Sequence, residues 1–87
     1  MKTHKSSYAF NNLTTGGNVT CIGENTVEFN NDGTTVIVID AVHQIMPGDS
    51  KKFGGRAESG IVQVFAITFT GTGTNLCQVI KETITAL

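Results

Sequence analysis

The residues most suggestive of catalysis are an aspartate, a histidine and two serines near the middle of the chain. Asp40 and His43 are three residues apart, and Ser50 and Ser59 follow. A catalytic triad uses these residue types, because the carboxylate orients the imidazole, which then deprotonates the hydroxyl. Neither serine lies in a complete Gly-x-Ser-x-Gly elbow, and residues three apart on a strand point to opposite faces. We therefore interpret Asp40 and His43 as a polar pair at a strand end and predict that the protein is not an enzyme.

Residue types that bind metals are present, but their spacing is unsuitable for a site. A zinc site needs three or four converging ligands, whereas the histidines and cysteines are far apart in sequence: His4, Cys21, His43 and Cys77. Residues 30–34 offer oxygen ligands without the glutamate that closes a calcium loop. A tight Asp-Gly turn explains that segment better. The sequence therefore predicts no metal and no cofactor.

Two glycine-containing segments could contact an anion. Residues 71–76, Gly-Thr-Gly-Thr-Asn-Leu, match the dinucleotide-binding fingerprint in two glycines only, with Leu76 at the third glycine position. We interpret them as a turn between strands. In Gly54-Gly55-Arg56 the guanidinium lies on a glycine-rich loop, where it could bind a carboxylate or phosphate through two hydrogen bonds. Arg56 is therefore kept as a candidate partner-binding residue, although an ordinary solvated loop is the simpler interpretation.

The two cysteines are expected to be buried thiols. Cys21 and Cys77 are too few for a disulfide scaffold and lack the CxxC spacing of zinc or redox sites. A disulfide between them is the alternative if the protein meets oxidising conditions.

Charge and hydropathy exclude several classes of partner. Six lysines and arginines against seven acidic residues give a net charge of −1, which lacks the basic surface of a nucleic-acid-binding protein. The longest apolar run covers residues 36–39, far short of the roughly 20 residues of a membrane helix. The first ten residues show no signal peptide. We expect no nucleic-acid partner and no membrane association.

The composition favours β-structure. Valine and isoleucine supply 16 residues and threonine 13, against 3 leucines and 5 alanines, and β-branched residues prefer strands. Turn residues recur at short intervals along the chain. We expect an all-β fold, a small antiparallel β-sandwich or barrel of jelly-roll or Greek-key type with seven to eight short strands.

Three turn segments predict β-hairpins. They are Gly23-Glu24-Asn25, Asp32-Gly33 and residues 71–74. Each separates apolar alternating segments, and Asp-Gly is a strong hairpin signal. The first hairpin would place four residues on the core face: Val19, Cys21, Val27 and Phe29. The short lysine-bearing strand 50–53 is expected at a sheet edge.

Two strands are apolar on both faces. Residues 36–39 are Val-Ile-Val-Ile. In residues 61–70 the face that includes Phe65 and the opposite face, which includes Val64, are both mainly apolar. Such strands need cover on both sides, from a second sheet or from a neighbouring subunit. Residues 75–87 have two interpretations, because their apolar spacing fits a strand and also a C-terminal helix.

The N-terminal segment is expected to be an arm. Residues 1–13 form one unit that leads into a short strand, and residues 14–87 form a single β-domain. The arm is mainly polar, and five of its residues are candidate partner-binding residues: Lys2, His4, Lys5, Tyr8 and Phe10. Such a terminal arm can dock on a partner by strand addition.

The segment from Ile45 to Gly55, Ile-Met-Pro-Gly-Asp-Ser-Lys-Lys-Phe-Gly-Gly, resembles small β-rich bacteriophage virion proteins, as do residues 71–76 and the following Gln78-Val79-Ile80. In those proteins a Pro-Gly-Asp/Glu-Ser turn and a terminal strand after Gly-Thr-Asn recur on a threonine- and asparagine-rich β-domain. The resemblance covers roughly half of the chain.

The resemblance implies a non-enzymatic structural subunit of the virion, either a capsid decoration (cement) protein or a tail accessory protein. Such a subunit self-associates, with a trimer as the expected oligomer, and docks on the major capsid protein or another virion component. The alternative hypothesis is a receptor- or glycan-binding β-module that uses loops 48–60 and 71–75. A single tyrosine and no tryptophan make stacking on sugar rings less favourable.

Overall fold

The computed structural model of the chain describes residues 4–54 and 60–86, and this part consists of eight β-strands without a helix. In chain order the strands are β1 (His4–Leu13), β2 (Gly17–Glu24), β3 (Thr26–Asn31), β4 (Val36–Ile39), β5 (His43–Ile45), β6 (Ser50–Gly54), β7 (Ile61–Thr70) and β8 (Cys77–Ala86). The predicted all-β class and strand number are confirmed. The helical alternative for residues 75–87 is wrong, because residues 77–86 pair as a strand.

The strands form two four-stranded antiparallel sheets. Sheet A has the order β1-β8-β3-β6, and sheet B has the order β2-β7-β4-β5. The first strand pairs with the last, the second with the seventh, the third with the sixth and the fourth with the fifth. This nested pairing is that of one long antiparallel hairpin rolled up so that β3 meets β8 and β4 meets β7. It is the strand order of a jelly-roll sandwich.

The core lies between the sheets and follows the predicted alternation. The four residues assigned to the core face of β2 and β3 are buried, as are Ile37 and Ile39 of β4 and Phe65 and Ile67 of β7. Phe29 and Phe65 meet edge to face across the core, with ring centroids 5.4 Å apart. Period-two patterning was therefore sufficient to identify the buried side of these strands.

The three predicted hairpins are wrong. Residues 23–25, 32–35 and 71–76 each connect a strand of one sheet to a strand of the other. Turn-forming residues allow the chain to reverse, but they do not determine which strand becomes its neighbour. The observed hairpin is between β4 and β5, where Ile39 pairs with His43.

The β4–β5 turn contains two non-glycine residues with positive φ, Asp40 (φ 53°) and Ala41 (φ 59°). Such backbone angles are unfavourable for alanine and more tolerable for aspartate. Hydrogen bonds with Ala66 compensate: the Asp40 amide donates to the Ala66 carbonyl, and the Asp40 carboxylate accepts from the Ala66 amide, both at 2.8 Å. β4 therefore ends at Ile39.

The predicted N-terminal arm is instead an integral strand over its described part. β1 pairs with β8 without interruption from His4↔Ala86 to Leu13↔Cys77. Residues 1–3, and with them Lys2, lie outside the described residues. The pairing of β8 with β3 ends at Glu82, so the N-terminal part of β1 and the C-terminal part of β8 extend past β3 as a two-stranded ribbon.

A buried asparagine joins two connections at one end of the sandwich, residues 32–35 and residues 46–49. The Asn31 side-chain amide donates to the carbonyls of Thr35 and Ile45, at 2.7 and 2.8 Å, and its oxygen accepts from the Gly33 amide at 3.1 Å. The Asn31 backbone also bonds with Asp49 and Gly48. The crossover from sheet A to sheet B therefore depends on one fully satisfied polar side chain.

We predict that Asn31→Ala lowers the free energy of unfolding by about 3 kcal/mol, because two carbonyls in a buried region lose their donor. The measurement is urea unfolding followed by circular dichroism. Asn30→Ala is the matched control, since the Asn30 side chain is half-buried and makes one long bond, 3.3 Å, to Glu28. A similar loss for both variants would contradict the role assigned to Asn31.

Candidate interaction surfaces

The residues that suggested a triad have structural contacts of their own. The Asp40 carboxylate is engaged by the Ala66 amide and by Gln63 Nε2, the latter at 3.4 Å. The His43 ring packs edge-on against Phe53, with centroids 5.5 Å apart. Ser50 begins the edge strand β6, and Ser59 lies outside the described residues. Among the described residues no three His, Cys, Asp or Glu side chains are grouped closely enough to hold a metal ion.

The two cysteines are free and buried, as the main sequence interpretation predicted. Burial is the largest cause that raises the pKa of each thiol to about 11. Negative charge adds to the effect, from Glu24 near Cys21 and from Asp32 near Cys77. Both thiols are therefore held in the protonated, unreactive form at neutral pH.

The 71–75 loop is held against the 32–35 turn. The Thr74 carbonyl accepts from the Thr34 amide at 2.8 Å, the Thr74 amide donates to Thr34 Oγ1 at 2.8 Å, and Thr35 Oγ1 donates to Asn75 Oδ1 at 2.6 Å. Gly33 packs so closely on the Thr74 carbonyl that a Cβ there would overlap it. These contacts give the loop a structural role in joining the sheets.

The structure separates the glycine-rich part of the first loop of the alternative binding hypothesis from the second loop. Gly54 and Gly60 lie against Asn25 and Gly23, whereas residues 71–75 contact the turn at the other end of β3. Residues 55–59, including Arg56, lie outside the described residues. Residues 54 and 60 and residues 71–75 therefore flank opposite ends of β3, whereas Gly48 and Asp49, at the start of the first loop, bond with Asn31 at the same end as residues 71–75.

The outer face of sheet A carries a groove of roughly 340 Å³. We call its lining the aromatic face, which consists of Tyr8, Phe10, Thr26, Glu28, Lys52, Ile80 and Glu82. The register explains the grouping, because Tyr8 lies opposite Glu82 and Phe10 opposite Ile80. Tyr8 and Phe10 are 57% and 64% exposed, and their rings are nearly parallel with centroids 6.5 Å apart.

Glu82 organises the polar part of the aromatic face. Its carboxylate accepts from the Tyr8 hydroxyl at 2.9 Å and from Thr26 Oγ1 at 3.2 Å. The bond with Glu82 raises the pKa of the Tyr8 hydroxyl, and the same bond is the largest cause that lowers the pKa of Glu82. The tyrosine ring is thus oriented by a carboxylate on the neighbouring strand.

The outer face of sheet B carries a second surface, the apolar patch of Ile22, Val62 and Val64. These side chains are 75%, 81% and 52% exposed. Ile22 and Val62 are directly opposite each other in the β2–β7 ladder, and Val64 is next on the same face. The outward positions of β4 and β7 contain no charged residue, and in β2 the charged residue is the last one, Glu24.

A smaller cavity of about 240 Å³ lies between the free edges of β1 and β2, lined in part by Leu13, Val19 and Val79. Lys81 closes it on one side, because its Nζ donates to the Thr20 carbonyl at 2.7 Å and so connects the two sheets. This cavity is the margin of the core.

The candidate partner-binding residues fall into three groups. Tyr8 and Phe10 share the aromatic face, and Lys5 is an exposed residue of β1. His4 is described only as a backbone position of β1, while Lys2 and Arg56 lie outside the described residues.

Sequence reasoning missed the aromatic-face members contributed by β3, β6 and β8, because their proximity to β1 depends on the sheet order. It did identify an apolar second face on β7, which includes Val64 and forms most of the apolar patch.

We predict that both thiols resist alkylation in the native protein. With a pKa of about 11, roughly one thiol in a thousand is ionised at pH 8. Iodoacetamide labelling followed by mass spectrometry should therefore show full labelling only in urea.

The same thiols make the folded state sensitive to alkaline pH. The unfolded thiols lose their protons near pH 9, whereas the folded ones keep them to about pH 11, so stability should fall as the pH rises between these values. The Cys21→Ala, Cys77→Ala double variant should show a smaller fall over that interval. Equal slopes for the two proteins would contradict the assignment.

Comparison with known proteins adds no family to these observations. No protein-family model matches the sequence, and no curated protein matches it. None of the described residues forms a helix long and apolar enough to cross a membrane. The jelly-roll order is shared by viral capsid, lectin and cupin domains, so a function has to be argued from the surfaces themselves.

Proposed function

We propose that this protein is a non-enzymatic structural subunit of a bacteriophage particle, a capsid decoration protein that self-associates and docks on the capsid surface. The apolar patch on sheet B carries the proposal. The resemblance of residues 45–55 and 71–80 to phage virion proteins and the jelly-roll order both support it, since viral capsid domains are among those that use this fold.

The apolar patch is unusual for an isolated small domain. Ile22 and Val62 are each at least three-quarters exposed and lie side by side. Isolated exposed apolar residues are normal, but a contiguous group of them is typical of an interaction site. Covering apolar surface stabilises a complex by about 25 cal/mol per Å². A contact at this patch therefore adds stability that a chain with a small core benefits from.

The polarity of the same face favours a permanent contact. Threonine hydroxyls and small apolar side chains surround the patch, with Thr20 opposite Val64 and Ala66 two residues further along β7. Burying the β7 side chains of this face places no charged side chain in the interface, and unpaired buried charge is the costly part of forming one. The Glu24 carboxylate, which accepts from the Ile22 amide, lies at the edge of the patch. A docking surface on a particle that must stay assembled has these properties.

The aromatic face favours the second candidate function, a receptor- or glycan-binding module. Two exposed, nearly parallel rings beside the carboxylates of Glu28 and Glu82 offer both stacking and hydrogen bonding. This surface differs from the loop site expected for that function, and it makes no use of Arg56.

We predict that Val62→Lys combined with Val64→Lys weakens self-association and capsid docking at least tenfold without unfolding the protein. Both side chains are largely exposed, so the fold tolerates lysine, whereas an interface would have to bury two unpaired charges. The measurements are light scattering on a sizing column in a dilution series and co-sedimentation with particles built from the major capsid protein.

Thr70→Lys with Thr72→Lys is the matched control, because it adds the same charge at exposed positions beyond the patch. The control should behave as wild type in both measurements. Unchanged mass and unchanged co-sedimentation of the patch variant would overturn the proposed function. Specific binding of an oligosaccharide or receptor, lost with Phe10→Ala, would favour the second candidate.

A further inference from the structure

The four outer edges of the two sheets differ in their protection against pairing with another chain. β6 carries Lys51 and Lys52, β5 has three residues, and β2 has a register shift between Ile22 and Glu24. Edge lysines, short strands and bulges are the usual devices that prevent edge-to-edge association. Three of the four edges therefore have such a device.

β1 lacks such a device from Ser6 to Leu13, because its one lysine in the described residues, Lys5, lies near the N-terminal end of the strand. It has ten residues, its register with β8 is continuous, and it has no charged residue from Ser6 to Leu13. Within the described residues β8 is its sole partner strand. Every second amide and carbonyl of β1 thus faces away from the sheet and is available for a further strand.

We infer that the outer edge of β1 pairs antiparallel with β1 of a second copy of this chain, around a two-fold axis at Ala9. The inference rests on the proposed function, because it names one contact of a subunit that self-associates. It concerns the edge of sheet A, whereas the proposed docking surface is the face of sheet B, so the two contacts can be tested separately.

Sheet geometry restricts the register of such a pair. Residues directly opposite each other in antiparallel strands point to the same face. When the two-fold axis is perpendicular to the sheet, the two residue numbers of each opposing pair must therefore add to an even number. The axis consequently passes beside a residue, and the choice is among the residues of β1.

When the two-fold axis passes beside Ala9, both aromatic residues of β1 lie opposite an aromatic residue of the second copy. Tyr8 then lies opposite Phe10 of the second copy and Phe10 opposite Tyr8, while Lys5 lies opposite Leu13, so no two like charges oppose each other. Centring on Tyr8 or on Phe10 leaves one aromatic of each copy opposite serine or asparagine. Aromatic cross-strand pairs stabilise a sheet, and facing like charges destabilise it.

The pairing has two structural consequences. Sheets A of the two copies become one eight-stranded antiparallel sheet, within the usual size of sheets, and the two aromatic faces become one continuous surface with four rings. A two-fold contact also gives even-numbered species. The mass of the complex therefore separates this pairing from the trimer that the sequence resemblance implied.

Cysteine cross-linking tests the register directly. In the proposed pair the two Ala9 Cα atoms are about 4.5–5.5 Å apart, within the range of a disulfide, about 4.4–6.8 Å. Ala9→Cys should form a disulfide-linked dimer under mild oxidation. The native Cys21 and Cys77 are buried and do not compete.

Ser7→Cys and Asn11→Cys are matched controls, because both positions are exposed and share the parity of Ala9. Neither should cross-link alone, since each lies two positions from the axis. A mixture of the two should cross-link efficiently, because Ser7 of one copy lies opposite Asn11 of the other. Equal cross-linking of all three single variants would overturn the inference, since random collision gives that result.

Charge substitution provides a second test without oxidation. Tyr8→Lys with Phe10→Lys places like charges opposite each other twice and should lower the association constant at least tenfold. Tyr8→Lys with Phe10→Glu places opposite charges there and should restore association. Wild-type association without the Ala9→Cys dimer would overturn the β1 pairing but leave the proposed function standing. A wild-type monomer at all concentrations would overturn the pairing.

Discussion

The buried side chain of Asn31 is the contact on which the arrangement of the two sheets depends. Its amide binds the carbonyls of Thr35 and Ile45, and its backbone binds residues 48 and 49. Two connections between the sheets, residues 32–35 and residues 46–49, therefore meet at one polar residue inside an apolar sandwich. The hydrogen bonds of Thr34 and Thr35 with Thr74 and Asn75 extend this network to the last connection. These hydrogen bonds fix the positions of the connections at this end of the sandwich, and the connections in turn place the strands that they join.

The fold class and the buried faces could be predicted from the sequence, because β-branched composition and period-two patterning act within single strands. Val27 and Phe29 were placed on the core side, and they are fully buried. The partners of each strand could not be predicted. Glycine and Asp-Gly turns show where the chain bends, but the choice between a hairpin and a crossover is made by contacts between segments far apart in sequence. Of the aromatic face, the sequence predicted only part: Tyr8 and Phe10 were identified as candidates, whereas their neighbour Glu82 was not.

The two faces of the sandwich are chemically different. The outer side of sheet A combines exposed rings with an ordered carboxylate, while the outer side of sheet B is mainly apolar around Val62, with the Glu24 carboxylate at the edge of the patch. A subunit with two unlike faces has a defined orientation when it sits on a surface, with one face covered and the other presented outward. The proposed role as an accessory subunit of a particle makes use of this asymmetry.

The pairing of the first strand with the last also determines when the protein can fold. β1 meets no strand near it in sequence, since its partner β8 begins at Cys77. During synthesis β1 emerges from the ribosome early, and it stays unpaired until nearly the whole domain has been made. Closing so long a loop is slow compared with local pairing, and a strand with an unpaired edge is prone to aggregate in that interval. Serine and asparagine residues flank Tyr8 and Phe10, and these polar side chains favour the solubility of β1 until β8 has been synthesised.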